Sequence, residues 1–278
     1  MDNLTVIDAS LLDPCDGLLG ESWQVDIELE GSLDHQGMVL DFGQVKTQAK
    51  QIIDQVFDHR LLVPAGYDHC RIDHTEHRAE VRFKTLTGED VLFRAPANSL
   101  RTIQTEKVTA DSLTKAIAET IRPTLPDNVD DIHIRLHTEK IDDAWYRYSH
   151  GLKHHSGNCQ RIAHGHRSRI HIYENGQRSD RLERQWAARW KDTYLGNRGD
   201  LLQEFNESGI DYYRFGYTAN QGLFELVLPK ARCCLIENDT TVENLASYIA
   251  QTLHNEFPRS NFLVKAFEGV NKGAFGEA

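Results

Sequence analysis

Six of the chain's fourteen histidines fall between His150 and Tyr173, around a single cysteine. In this stretch, HGLKHHSGNCQRIAHGHRSRIHIY, only Gly165 separates His164 from His166. Alternate side chains of a β-strand share a face, so the two imidazoles point the same way and offer two ligands to one ion. A third ligand must come from elsewhere. His150, in YRYSHGL, lies on a preceding strand close enough in sequence to pair with this one, and His154 and His155 are rival third ligands. Three imidazoles leave a tetrahedral zinc with one open position, the arrangement of a catalytic rather than a structural site. The competing reading is a solvated histidine-rich loop, the commoner meaning of an isolated H-x-H. Cys159, five residues before His164, shifts the balance, because a thiol held beside a cation is a usable general base. An isolated cysteine is otherwise most often a small buried apolar residue.

The elements that must position these groups come in two sets. VLFRAPANSLRTIQTEKVTADSLTKAIAETIRP reads as a strand, a connection and a helix whose start is marked by Thr109 and Asp111. LFELVLPKARCCLIENDTTVENLASYIAQTLHNEFP has the same parts in the same order, with Thr241 in the place of Thr109. A short apolar strand follows each helix, DIHIRLHTEK and NFLVKAFEGV, and each reaches a glutamate, Glu139 and Glu268. The near-constant offset favours duplication.

Upstream, SWQVDIELEG alternates polar and apolar residues as a half-buried strand, SLDHQG predicts a turn and MVLDF the strand paired with it. GQVKTQAKQIIDQVFDHRLL places Val45, Ala49, Ile52, Ile53 and Val56 on one face of a helix ending near Asp58 and His59. EVRFKTLTGEDVLFRAP predicts a hairpin turning at Thr87 to Glu89. HRSRIHIYENGQ and IDYYRFGYTANQGLFELVLP supply a first strand and a later hairpin for the second half. These patterns predict an α+β domain occurring twice, over residues 1–143 and 144–278, each an antiparallel sheet with helices on one face.

Composition narrows the function. A chain of 278 residues with 40% hydrophobic residues is globular and long enough for two domains. The sequence has no run of eighteen apolar residues, and MDNLTVIDAS lacks the basic and apolar regions of a leader. The expectation is a cytoplasmic protein without membrane partners. Five cysteines without framework spacing predict free thiols. A formal net charge of -11 argues against nucleic-acid partners, while the basic island RIAHGHRSRI could still hold a phosphorylated small molecule.

Taken in order, SHGL with C-x4-HGH, GMVLDFGQVK, DHRLL, TVENLASYI and a glutamate after the last strand resemble the 6-pyruvoyltetrahydropterin synthase and 6-carboxytetrahydropterin synthase family, which has the tunnelling fold (T-fold). Two copies of that single-domain pattern cover nearly the whole chain, apart from inserted hairpins around residues 64–105 and 177–234. The resemblance implies that His150, His164 and His166 bind Zn2+, that Cys159 is catalytic, and that Asp58 and His59 form its aspartate-histidine dyad. It further implies that Glu268 anchors the pterin ring through two parallel hydrogen bonds, and that Thr109 and Thr241 match the threonine of the family's P-T-x-E-N segment. Here the proline of that segment is replaced by Val108 and Thr240.

The departures divide between the halves. In the first, DPCDGLLGESWQV puts Leu19, Gly20 and Glu21 where His-Gly-His should stand; in the second, no Asp-His pair precedes TVENL. Since the family's site lies between subunits, the expectation is one composite site with Cys159, the three histidines and Glu268 from the second half and Asp58, His59 and Thr109 from the first. Asp68 with His69 and Asp73 with His74 are weaker dyad candidates.

The substrate class implied is 7,8-dihydroneopterin triphosphate, with Arg161, Arg167 and Arg169 either holding the triphosphate or facing solvent. Cleavage of the side chain gives 6-carboxytetrahydropterin and acetaldehyde, as in queuosine biosynthesis; stopping earlier gives 6-pyruvoyltetrahydropterin. The four-residue gap between Cys159 and His164 departs from the three-residue gap of bacterial carboxy-forming members. A non-catalytic zinc-binding scaffold is the reading of a different class. A homo-oligomer is expected because T-fold domains close into barrels by joining sheets, which removes strand edges.

Overall fold

A computed structural model of the chain describes residues 1–33, 37–39 and 41–278. The first half runs β1 (Thr5–Asp13), β2 (Gly17–Gly31), α1 (Phe42–Val56), β3 (Leu61–Pro64), β4 (Cys70–His74), β5 (Arg78–Lys84), β6 (Asp90–Pro96), β7 (Leu100–Ile103), α2 (Ala110–Ile121) and β8 (Val129–His137). The second runs β9 (Trp145–His150), β10 (His164–Glu174), β11 (Gln177–Arg178), α3 (Asp180–Arg189), β12 (Thr193–Asn197), β13 (Leu201–Glu207), β14 (Ile210–Ala219), β15 (Gly222–Pro229), β16 (Cys233–Ile236), α4 (Val242–Glu256), β17 (Phe262–Phe267) and β18 (Gly273–Glu277). Apart from β11 and β18 the two lists correspond element for element. The sheet orders correspond as well, β7-β3-β1-β2-β8 in the first half and β16-β12-β9-β10-β17-β18 in the second.

Local chemistry explains the helix starts. Thr109 caps α2 by accepting from the Ser112 amide, in a reciprocal capping box, and Thr241 caps α4 by accepting from the Asn244 amide. The apolar faces then turn inward. Ile53 and Phe57, with Leu113, Ile117 and Ile121 of α2, pack on Ile7, Ala9, Val25 and Ile27. In the second half Leu182 and Trp186 of α3, with Leu245, Ile249 and Leu253 of α4, cover Tyr146, Tyr148, Ile170 and Val264.

Three expectations change. The hairpin assigned to residues 22–31 and 38–42 lies partly outside the described residues, but residues 37–39 and 41 form no strand, and the hairpin partner of β2 is β1. Its turn is built by Asp13, whose Oδ1 accepts from the amides of Cys15 and Asp16, followed by Gly17 at φ 75°. The sheets are mixed rather than antiparallel: β3 runs parallel to β1 and β7, and β12 parallel to β9 and β16. Helices α1 and α3 lie in the crossovers from β1 to β3 and from β9 to β12, and the inserted strands β4–β6 and β13–β15 in those from β3 to β7 and from β12 to β16. Finally, the inserted hairpins do not stay within their halves. Antiparallel pairing of β6 with β15 joins them into one sheet, β13-β14-β15-β6-β5-β4, over a shared core that includes Phe93, Phe215 and Leu226.

The backbones of the two halves approach closely at two glycines. A Cβ on Gly165 would lie 2.4 Å from Gly20 Cα, and one on Gly20 would lie 1.9 Å from the Tyr148 carbonyl oxygen. Beside them Ser10 Oγ donates to Ser149 Oγ at 2.8 Å. The glycine of His-Gly-His therefore faces away from the imidazoles and lets the first half approach them.

Candidate active site

Strand register places the histidines. His150 on β9 stands opposite His164 on β10, and Tyr148 opposite His166. All three imidazoles are fully buried. Each Nδ1 faces a fixed oxygen of the protein. His150 Nδ1 is 3.0 Å from both the carbonyl and the hydroxyl oxygen of Thr240, and His164 Nδ1 is 3.1 Å from the Arg161 carbonyl. His166 Nδ1 faces Asp8 Oδ1 at 3.3 Å, a long contact that falls short of a well-aligned hydrogen bond. Protons on Nδ1 leave the three Nε2 lone pairs facing inward. Burial, with His166 beside it, holds His150 neutral, well below the usual histidine range; burial and His150 do the same to His164.

This arrangement fits a metal ion. His164 Nε2 is buried without a hydrogen-bond partner, while His150 and His166 bring their Nε2 atoms within 3.1 Å of each other. Lone pairs so placed repel unless a metal ion, or a proton shared between the two Nε2 atoms, lies among them. Glu268 Oε1, 3.6 Å from His150 Nε2 and 3.5 Å from His166 Nε2, adds a carboxylate to the same cluster. Three buried, neutral imidazoles with a half-buried carboxylate at their rim are chemically suited to zinc and leave one position open.

The dyad adjoins this cluster from the first half of the same chain. His59, Cys159 and His164 bring potential ligand atoms within 4.8 Å of one another. His59 Nδ1 is 2.6 Å from Asp58 Oδ2, and the His59 ring lies 5.0 Å from that of His164. Burial alone would lower the His59 pKa, but hydrogen bonds and charge from Asp58 and Cys159 bring it up to about 10, so that at neutral pH the ring is a cation. His59 sits at φ 53°, a left-handed conformation that a non-glycine residue keeps only where its surroundings fix it. Here they do: the His59 amide donates to the Asp8 carbonyl, and Asp58 Oδ1 accepts from the Asp8 amide, both at 2.8 Å.

The other sequence candidates separate cleanly. His154 and His155 are exposed on the loop after β9, occupied with Asp239 and the Gly157 amide. Asp73 and His74 are exposed on β4. Thr109 does not join the cluster; it is exposed in a groove with Arg101, Thr105 and Ser112, and the threonine that meets a site histidine is Thr240. Arg161, read as a phosphate or solvent contact, is buried instead. Its guanidinium donates to Gln221 Oε1 at 3.1 Å and to the His59 carbonyl at 3.3 Å. The tip of the β14–β15 hairpin thereby grips the cysteine loop: Gln221 also donates to Asn158 Oδ1, and Tyr217 to the Gln160 carbonyl. Asp8 and Gln221 are absent from the sequence reading, and Thr240 enters it only as the replacement for the segment's proline, not as a partner of His150; only the repeat, which sets DASL against RYSH, carries a signal for Asp8.

The 6-pyruvoyl tetrahydropterin synthase family model matches residues 5–149 and again residues 141–275. The chain belongs to this family. It is 25% identical over 122 residues to a Pyrococcus abyssi protein named "Putative 6-carboxy-5,6,7,8-tetrahydropterin synthase", covering 44% of this chain and 69% of that one. A Pyrococcus horikoshii protein of the same name is 26% identical over 123 residues, with the same coverage. Among solved structures, 6-pyruvoyltetrahydropterin synthase from Plasmodium vivax is 15% identical with a TM-score of 0.41, covering 51% of this chain and 91% of that chain.

In this tandem member of the 6-pyruvoyl tetrahydropterin synthase family, the equivalent place in the first half has changed character. Ser10 pairs with Gly20 as Ser149 pairs with Gly165, so Leu11, Leu19 and Glu21 occupy the positions of His150, His164 and His166. Asp192, at φ 56° with its amide on the Arg147 carbonyl, stands where His59 stands. Glu139, the counterpart of Glu268, is taken by Arg169 at 2.9 Å, while Arg167 stacks over Trp145 at 3.4 Å. Two leucines and internal ion pairs replace the ligand set.

Proposed function

We propose that the chain is a zinc-dependent 6-carboxy-5,6,7,8-tetrahydropterin synthase acting on 7,8-dihydroneopterin triphosphate and releasing triphosphate and acetaldehyde, on the route to queuosine and other 7-deazaguanines. The observation that carries this reading is the convergence of Asp58 and His59 from one half on Cys159 and three imidazoles from the other. His150, His164 and His166 would hold the zinc, which when bound supplies a Lewis acid for the substrate's side-chain hydroxyls. Cys159 takes the proton from the carbon bearing a hydroxyl, and the His59 imidazolium, oriented by Asp58, delivers a proton from its own side. Glu268, at the rim of the histidine cluster, accepts the N–H and amino group of the pterin edge. The two Pyrococcus relatives' names favour the carboxy-forming outcome. We place the boundary between the two T-fold units near Asp143, and an assembly of three chains would supply the six units of a closed barrel.

Incubating the zinc-loaded protein with 7,8-dihydroneopterin triphosphate and identifying products by mass spectrometry tests the reading. 6-Carboxytetrahydropterin with acetaldehyde is expected. A 6-pyruvoyl product would move the chain to the pyruvoyl-forming branch, and zinc without turnover would make it a scaffold.

A further inference from the structure

We propose that Asp8 is a positioning residue for the metal site, a carboxylate from the first half that orients and supports the His166 imidazole of the second, so that metal affinity depends on the pairing of the halves. This rests on the reading of His150, His164 and His166 as ligands. Asp8 is 2% exposed, and its side chain is fixed on every side: Ser22 Oγ donates to Oδ1 at 2.5 Å, Lys272 Nζ lies 2.9 Å from Oδ2, and His166 Nδ1 faces Oδ1 at 3.3 Å. Its main chain does a separate task, bonding Asp58 and His59 through its amide and carbonyl. Backbone and side chain of one residue thus address the dyad and the metal histidine respectively. A carboxylate on the outer nitrogen of a ligating imidazole fixes the tautomer and the ring's orientation, and raises its basicity toward the ion.

The internal repeat supplies an independent argument. Asp8 lies two residues before Ser10 on β1, and Arg147 lies two residues before Ser149 on β9, at the matching register. In the first half's altered site, Glu21 replaces His166, and Arg147 NH1 lies 3.8 Å from Glu21 Oε2. Both positions have kept their partner and exchanged its chemistry, carboxylate against imidazole in one and guanidinium against carboxylate in the other. A residue that only filled space would have no reason to change charge with its partner.

The test compares zinc dissociation constants, by chelator competition, for the full chain and its Asp8→Asn and Ser22→Ala variants, with folding of the apo-proteins followed by circular dichroism. Asp8→Asn is expected to weaken zinc by about 10- to 100-fold, and to alter the visible spectrum of the cobalt-substituted protein, with Ser22→Ala acting in the same direction by less. A wild-type chain that binds no zinc would refute the ligand reading itself. A wild-type chain that binds zinc, beside a folded Asp8→Asn with unchanged affinity, overturns this proposal alone. If Asp8→Asn does not fold, unchanged affinity in Ser22→Ala overturns it.

Discussion

Substituting Gly165 by alanine should separate the two halves at the point that assembles the site. The added Cβ would stand 2.4 Å from Gly20 Cα, 2.7 Å from the Tyr148 carbonyl oxygen and 2.9 Å from Ser149 Oγ. The first two are backbone atoms that no rotamer change can move, so the cost lies at the upper end for overpacking, about 3 kcal/mol. For a chain of this size that is a fall in melting temperature of about 6–12 °C. Relieving the 2.4 Å contact to an ordinary 3.4 Å parts the strands by about 1 Å, and a displacement of that size in a catalytic constellation costs about 100-fold in rate. Calorimetry of the apo-protein and steady-state kinetics of the zinc-loaded one read the two effects. A variant that melts within about 2 °C of the parent and keeps its turnover would refute the claim that glycine is required for this approach.

Further outcomes follow from the same geometry. Cys159→Ala should keep its zinc and its fold while losing about 10²- to 10⁴-fold in kcat, whereas an unchanged rate would remove the cysteine from the chemistry. Elemental analysis should give one zinc per chain, because Leu11, Leu19 and Glu21 replace the histidines in the first half; two per chain would contradict that assignment. Stability of the apo-protein should fall as pH rises from about 6.5 to about 10, since the His59 pKa is raised from 6.5 to about 10 and the folded state holds a proton that the unfolded state releases. Asp58→Asn should flatten that slope in pH-dependent denaturation, and an equally steep slope would place the proton elsewhere.

Local signals were legible and long-range ones were not. The helix starts at Thr109 and Thr241 and the hairpin turn between β5 and β6 depend on residues a few positions apart, and both were read correctly. The β1–β2 hairpin was missed for a physical reason. Ile7–Asp13 of β1 and Gly17–Trp23 of β2 are buried without interruption because helices cover one face and the other half packs on the other, so the alternation that betrays a half-buried strand survives only in the later part of β2, within SWQVDIELEG. The HGH motif pointed to its own geometry through the two-residue period of a strand. Gln221 has no local signal and Asp8 has one only through the repeat, since their partners lie far away in the chain. The merging of β6 with β15 across the halves leaves no trace in either hairpin's own sequence.

The central claim is that one chain builds one site from both its halves, and mixing two inactive variants tests it most directly. His59→Ala and Cys159→Ala, co-refolded or co-expressed so that any assembly contains both, are assayed together on 7,8-dihydroneopterin triphosphate. Because His59 and Cys159 meet within a single chain, no mixed assembly regains an intact pair, and activity should stay at the level of the separate variants. Recovery toward a fraction of wild-type turnover would show that the dyad and the cysteine come from different chains, and would contradict the account.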